Sequence, residues 1–235
     1  MLLLHGLGAT GAVWHGALDA ARTTDLPGAL APDLPGHGAA AWASSYSFGT
    51  HAEVVLPLLE AFDRPVPVVG HSMGGVVALE LAVLAPERVS RVVGLGIKVS
   101  WPPDDAARAL AMADRPVTSY DTRDAAVERF LRVSGLAGLV PTDDPMVDGA
   151  VVDREAVGEG SGWRLAQDPR TFGVGVPDMA GLLAGASCPV VLARGEHDAM
   201  VSHRQLAELV ADPVTLPGLG HNAHVEDPAA VLALV

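Results

Sequence analysis

Residues 68–75 read Val-Val-Gly-His-Ser-Met-Gly-Gly, and an apolar stretch with helical character continues from there to Leu84. A valine-rich segment that ends in Gly-x-Ser-x-Gly and passes at once into a helix is typical of a sharp turn that holds the serine in a strained conformation. The turn needs small residues on both sides of the serine, and Gly70 and Gly74 supply them. The N-terminus of the following helix presents positive potential to an oxyanion. The stretch therefore predicts Ser72 as a nucleophile above the end of a strand.

Short apolar segments alternate with helical patterns on both sides of this turn. This alternation predicts a mostly parallel sheet with helices on its faces. The expected strands, each bounded by Gly, Pro or Asp, are Leu2–Leu4, Ala29–Pro32, Val66–Val69, Val92–Ile97, Val190–Ala193 and Val214–Leu216. The expected helices of the core are Gly11–Ala21, Phe48–Phe62, Met73–Leu84 and His203–Val210.

The alternation stops between about Trp101 and Pro177, where no parallel strand is evident. This predicts an insertion of residues 101–177 between two strands of a core formed by residues 1–100 and 178–235. The clearest helix of the insertion begins after Asp121 or Thr122, both suitable N-caps, and ends at Ser134 before a glycine. Larger side chains of the insertion line a pocket or form its own small core; they are Trp101, Met112, Tyr120, Phe130, Met146, Trp163 and Phe172.

Composition limits the possible partners. The chain has 235 residues and a formal net charge of -13, which disfavours nucleic acid and anionic membrane surfaces as partners. The single cysteine, Cys188, excludes an intramolecular disulfide. The apolar start Met1–Leu4 is too short for a leader or a membrane span. We therefore expect a soluble cytoplasmic protein, and the oligomeric state stays open.

A serine hydroxyl needs a base to take its proton and a third group to orient that base. Arg-Gly-Glu-His-Asp at 194–198 follows the expected strand Val190–Ala193 and places acids at its carboxyl end. Gly-Leu-Gly-His at 218–221 follows the last expected strand. Carboxyl ends of parallel strands meet at one edge of a sheet, so both loops are expected near Ser72.

Taken together, the motifs resemble those of the α/β-hydrolase fold family over nearly the whole chain. The matching stretches, in family order, are His5–Gly8, Asp33–Gly38, the segment around Ser72, Gly195–Asp198, and Gly220–His221 with Glu226–Pro228. The resemblance implies an α/β-hydrolase fold whose mainly helical cap is inserted between sheet strands. Such relatives usually have one or two strands before the first motif, so either the sheet is shorter or the chain lacks terminal segments.

The resemblance also assigns roles to residues. It implies Ser72 as nucleophile, Asp198 as the orienting acid and His221 as the general base. The backbone N–H groups of Leu7 and Met73 would form the oxyanion hole. No cofactor and no metal is expected.

Alternatives remain for several residues. Glu196 competes with Asp198 as the acid, and His224 competes with His221 as the base. A metal site formed by histidines such as His197 and His221 is disfavoured, because catalytic zinc sites usually need three convergent ligands. His71 is expected to pack or hydrogen-bond. For Lys98, the only lysine of the chain, we expect a solvated charge at a strand end.

The expected reaction is hydrolysis of a small-molecule carboxylic ester or thioester through an acyl-enzyme. Within the fold, the competing reactions are carbon–carbon bond hydrolysis, cofactor-free haloperoxidase or perhydrolase chemistry, and release of acyl groups from a carrier. A non-catalytic ligand-binding receptor is the alternative from another class. Fold alone does not decide among these functions.

Overall fold

The computed structural model describes residues 1–22 and 28–235. Their strands are β1 Leu2–Leu4, β2 Val66–His71, β3 Val89–Leu95, β4 Val151–Asp153, β5 Trp163–Leu165, β6 Val190–Gly195 and β7 Val214–Leu216. Their α-helices are α1 His15–Ala21, α2 Phe48–Val55, α3 Met73–Leu84, α4 Pro103–Ala113, α5 Arg123–Val133, α6 Met179–Gly185, α7 His203–Ala207, α8 Ala223–Glu226 and α9 Pro228–Leu232. Short 3₁₀ helices occupy Gly11–Trp14, Leu56–Ala61, Pro145–Ala150 and Pro169–Gly173.

Five parallel strands form the main sheet in the order β1-β2-β3-β6-β7. Alternate residues of these strands pack on opposite faces, because successive side chains of a strand point in opposite directions. Leu3 and Val69 join a buried cluster on one face, whereas Leu2, Leu4 and Val68 join a cluster on the other. The predicted parallel sheet between layers of helices is confirmed, and its carboxyl edge carries the loops that follow β2 and β6.

The prediction of a strand at Ala29–Pro32 is wrong. Leu30 alone forms a parallel bridge to Leu2, at the edge of the sheet. Its carbonyl oxygen accepts from the N–H of Leu3 at 2.8 Å, and its N–H donates to the carbonyl oxygen of Met1 at 3.0 Å. Pro32 has no N–H to continue this ladder, so the pairing stops after one residue.

Several helices differ from the sequence prediction at their ends. The expected helix Phe48–Phe62 becomes 3₁₀ after Val55, because Pro57 cannot donate to the preceding turn. The expected helix Gly11–Ala21 likewise begins as a 3₁₀ turn that ends at Trp14. Helix α7 stops at Ala207, three residues before the expected end. Within residues 1–22 and 28–235, no helix combines the length and the apolar character needed to cross a bilayer.

The segment between β3 and β6 contains α4, α5, α6, two 3₁₀ helices and the antiparallel pair β4–β5. The hydroxyl of Thr122 caps α5 by accepting from the N–H of Ala125 at 3.2 Å, and Gly135 follows the helix with a φ of 72°. Phe130 is buried in the core cluster rather than in a pocket. The Asn222 side-chain amide donates to the carbonyl oxygen of Gly135 at 2.9 Å, which ties the end of α5 to the loop after β7.

Candidate active site

Ser72 lies between β2 and α3 in a strained backbone conformation. Its φ of 49° and ψ of -115° make it the one non-glycine residue with positive φ in the described part of the chain. Its N–H donates to the carbonyl oxygen of Leu95 at 2.7 Å, which fastens the turn to β3. A Cβ at position 70 would collide with the backbone of Gly74, and one at position 74 with the Leu4 carbonyl oxygen. The two glycines are therefore required for the turn that presents the Ser72 hydroxyl.

Asp198 and His221 meet at the carboxyl edge of the sheet. Both carboxylate oxygens of Asp198 lie 3.1 Å from His221 Nδ1. The Asp198 carboxylate is buried, whereas the His221 side chain is 25% exposed and lines the same cavity as Ser72. A carboxylate at Nδ1 favours the tautomer that leaves Nε2 free to accept a proton.

The competing acid has another contact. Glu196 is exposed, and its carboxylate accepts from the N–H of Gly218 at 2.8 Å. The structure therefore places Asp198, and not Glu196, against the imidazole of His221. Glu226 likewise accepts from the N–H of Gly220 at 2.8 Å, so two acids hold the loop that carries His221.

Arg194 holds the loop after β6. Its buried guanidinium donates to three carbonyl oxygens, those of Val201 at 2.7 Å, Glu196 at 2.9 Å and Asp198 at 3.0 Å. Sequence reasoning did not single out Arg194. The available signal was an arginine immediately before Gly-Glu-His-Asp.

His71 contacts the backbone of the loop that carries His221. Its Nε2 lies 2.9 Å from the carbonyl oxygen of His221, so that nitrogen carries the proton and donates. Burial lowers the pKa of His71 well below its usual range, and His224 and His221 nearby lower it further. The ring also packs 4.3 Å from the ring of His224, which is fully buried and contacts Trp14. The rings of His71 and His224 are therefore neutral; His71 and His221 both line the cavity, whereas His224 does not.

The loop that carries Leu7 is clamped between two histidines. His5 Nε2 accepts from the N–H of Leu34 at 2.9 Å, and His37 Nε2 accepts from the N–H of Gly8 at 3.2 Å. The other ring nitrogen of each histidine, Nδ1, carries the proton and donates to a backbone carbonyl oxygen. This reciprocal pairing holds residues 5–8 against residues 33–38. A Cβ on Gly6 would lie 2.7 Å from His71 Nδ1 and 3.3 Å from Ser72 Cβ, so this loop passes directly beside the serine.

A cavity of about 330 Å³ opens above Ser72. Its wall includes Leu7, Met73 and His221, which the sequence predicted for the site, together with Trp101 and Phe172 from the insertion; most of the lining is apolar. Met112 and Tyr120 line a smaller neighbouring cavity, whereas Trp163 and Met146 pack against the core. The sequence did not predict Arg132, Ser134 or Met200 as lining residues.

Lys98 differs from the expectation of a solvated charge. Its side chain is only 20% exposed and lines the cavity. The ammonium pairs with Asp105 of α4 and lies 4.6 Å above the Trp101 ring, an arrangement that supplies cation–π attraction. The contacts with Asp105 and with the Trp101 ring cover this lysine and keep most of it from solvent.

Metal ligands do not converge in the described part of the chain: it contains no group of three or more His, Cys, Asp or Glu side chains placed to hold an ion. Cys188 is a half-buried thiol away from Ser72, and burial raises its pKa.

The chain belongs to the alpha/beta hydrolase family, whose profile matches residues 1–234. Lipase LipV of Mycobacterium tuberculosis is 34% identical over 170 residues, which are 71% of this chain but only 62% of that lipase. Esterase Rv0045c of the same organism is 26% identical over an alignment that covers 100% of this chain and 80% of the esterase. The solved structure of E-2-(acetamidomethylene)succinate hydrolase is 20% identical and aligns with 100% of this chain and 89% of its own, with a TM-score of 0.80. The prediction of an α/β hydrolase is confirmed.

Proposed function

We propose that this protein hydrolyses a carboxylic ester through an acyl-enzyme on Ser72. The observation that carries the proposal is the strained Ser72, which shares a cavity with His221 while Nδ1 of that histidine lies against the buried Asp198. A lipase and an esterase among the relatives support ester hydrolysis as the reaction.

The first half of the reaction forms the acyl-enzyme. Ser72 Oγ attacks the ester carbonyl carbon as its proton moves to His221 Nε2. The N–H groups of Leu7 and Met73 donate to the carbonyl oxygen as it gains negative charge, and they stabilise the tetrahedral intermediate. The intermediate collapses when its C–O bond to the alcohol breaks, and the alcohol leaves with the proton held by His221.

Water then completes the cycle. His221 Nε2 takes a proton from a water molecule, whose oxygen attacks the acyl carbon. The second tetrahedral intermediate releases the carboxylic acid, and Ser72 Oγ regains its proton from His221. The buried Asp198 carboxylate stabilises the imidazolium in both halves of the reaction.

We further propose that residues 101–177 act as a cap on a core of residues 1–100 and 178–235, and that the cap selects the substrate. Trp101, Phe172 and Arg132 of this segment stand in the wall of the cavity above Ser72. A mostly apolar lining and a volume of about 330 Å³ suit a small to medium acyl group. A thioester would undergo the same two steps with a thiol as leaving group.

Covalent labelling with a fluorophosphonate tests the proposal. Wild-type protein is expected to label and to hydrolyse 4-nitrophenyl esters, and Ser72→Ala is expected to lose both activities. Ser134→Ala is the matched control, because this serine also lines the cavity but its hydroxyl is buried and donates to the Phe130 carbonyl oxygen at 2.8 Å. A folded Ser72→Ala protein with full activity would exclude Ser72 as nucleophile, and equal loss in Ser134→Ala would remove the support that the Ser72→Ala result gives.

A further inference from the structure

A second, smaller cavity adjoins the one above Ser72 and is lined in part by α5. The second cavity has a volume of about 70 Å³, and Val133 and Phe172 stand in the walls of both. A ligand chain that passes these two side chains reaches a compartment that the two-step chemistry does not use.

The charge lining the two cavities is opposite to that of the protein. Lys98 and Arg132 line the first cavity, and Arg115 and Arg129 line the second. No Asp or Glu of the described ranges lines either one. The chain as a whole has 28 acidic and 15 basic residues. A cavity wall with four cations and no carboxylate therefore has the opposite charge balance to the whole chain. Such a wall favours an anionic ligand.

The two cations of the first cavity already have partners. Lys98 pairs with Asp105, and Arg132 lies 3.6 Å from the Glu128 carboxylate. Within residues 1–22 and 28–235, neither Arg115 nor Arg129 has a carboxylate within 4 Å. The unpaired cations are therefore concentrated in the second cavity.

Of the two arginines that line the second cavity, Arg129 is better placed than Arg115 to bind an anion. It is half-buried, whereas Arg115 is exposed. A half-buried guanidinium has lost part of its hydration, and a planar carboxylate restores it through paired hydrogen bonds. Tyr120, Thr118 and Gln167 in the same wall add polar groups near that position.

Helix geometry relates this arginine to the reaction centre. Arg129 and Val133 are four residues apart on α5, so they lie on the same face of the helix, about 6 Å apart along its axis. Val133 borders the cavity of Ser72, so Arg129 lies one helical turn beyond that border. A group bound there belongs to the far end of a ligand whose ester is at Ser72.

We propose that the second cavity is a subsite for a carboxylate at the far end of the acyl chain, held by Arg129 with help from Arg115. The preferred substrates are then esters of dicarboxylic acids with one free carboxylate. This inference rests on the proposed function, since it places the scissile ester at Ser72.

Matched pairs of 4-nitrophenyl esters test the subsite. In each pair, acyl chains of equal length from four to ten carbons end in either a carboxylate or a neutral carboxamide. Wild-type protein is expected to prefer the carboxylate by about 10- to 100-fold in kcat/KM at one chain length, the range for hydrogen bonds to charged groups. Arg129→Gln is expected to abolish the preference, and Arg129→Lys to restore part of it.

Arg123→Gln is the control on the same helix. Arg123 pairs with Asp148 at 2.8 Å and lines neither cavity, so this variant should keep the preference. Equal kcat/KM within every wild-type pair would overturn the subsite. So would a preference that survives in Arg129→Gln.

A binding measurement separates failure of the subsite from failure of the proposed reaction. Free dicarboxylates should raise the melting temperature of wild-type and Ser72→Ala protein but not that of Arg129→Gln, and monocarboxylates of equal length should have less effect. Hydrolysis of the neutral esters without any carboxylate preference contradicts the subsite alone. A dicarboxylate effect on melting without hydrolysis of any ester contradicts the proposed reaction and supports the subsite. No effect of dicarboxylates on melting contradicts the subsite.

Discussion

Lowering the pH from 7.5 to 5.5 should destabilise this protein by several kilocalories per mole, because five of its histidines are buried. Burial lowers the pKa of His5 and His51 to about 4 and that of His224 to about 3. Burial also lowers the pKa of His37 and His71 well below their usual range. All five side chains are at most 3% exposed, so none can take up a proton at pH 5.5 without disturbing the fold.

The sign of this stability change follows from the different histidine pKa values in the folded and the unfolded chain. In the unfolded chain a histidine has a pKa of about 6.5 and becomes protonated between pH 7.5 and 5.5. The folded state stays unprotonated over this window, so the unfolded state binds more protons and the free energy of unfolding falls as the pH falls. At one pH unit below 6.5 each such histidine removes on the order of 1 kcal/mol of stability. Five would together remove several kcal/mol, a large part of the 5–15 kcal/mol typical of a domain.

Urea unfolding, followed by circular dichroism at half-unit pH steps, measures the slope of the free energy of unfolding against pH. His51→Phe removes one titrating group while keeping a ring against Tyr46, with which His51 stacks at 5.7 Å, and neither His51 nitrogen has a hydrogen-bond partner in the described part of the chain. This variant should lose about one fifth of the pH dependence, on the order of 1 kcal/mol. His15→Gln is the control, since the His15 side chain is 75% exposed, and it should change the slope much less. A wild-type change below about 2 kcal/mol, or an unaltered slope in His51→Phe, would refute the reasoning.

Three substitutions near Ser72 have further expected outcomes. Gly96→Ala should lower kcat at least tenfold and destabilise the fold by about 1 kcal/mol, because Gly96 has a φ of 64° and a Cβ there would lie 3.1 Å from Asp198 Oδ2. Gly6→Ala should lower kcat more than it raises KM, because its Cβ would press on His71 Nδ1 at 2.7 Å and displace the loop that carries Leu7. Asp198→Asn should lower kcat by about 10³- to 10⁴-fold with little change in KM, because the charge that stabilises the imidazolium is lost. Steady-state kinetics on 4-nitrophenyl esters, with urea unfolding for stability, checks all three.

Gly149→Ala is the control for both glycine variants. Its backbone has no positive φ, and an added Cβ would meet nothing within 4 Å, so this variant should have wild-type kinetics. Activity of Gly96→Ala or Gly6→Ala equal to that of Gly149→Ala would show that close packing at those positions does not matter for the reaction. An Asp198→Asn variant that loses less than tenfold would count against Asp198 as the orienting acid.

The sequence predicted well those elements whose bounds are set by residues close to one another in the chain. Helix α3 has its expected bounds because Ser72 ends the strand and an uninterrupted apolar helix follows. The error at Ala29–Pro32 has a different origin: this apolar run lies beside β1, but Pro32 has no N–H to extend the pairing beyond Leu30. The antiparallel pair β4–β5 was missed because each strand has only three residues, too few to show alternation.

The sequence by itself determined the parallel sheet, the turn at Ser72 and the order of the loops that carry Asp198 and His221, because glycine spacing and apolar runs act through neighbours in the chain. Only the tertiary structure decided that Asp198 rather than Glu196 contacts His221, and that His71 donates to the carbonyl oxygen of a residue 150 positions away. It also decided which cations line the two cavities. These contacts join segments that are far apart in sequence, so they depend on how the sheet, the loops and α5 pack. No local sequence pattern predicts that packing.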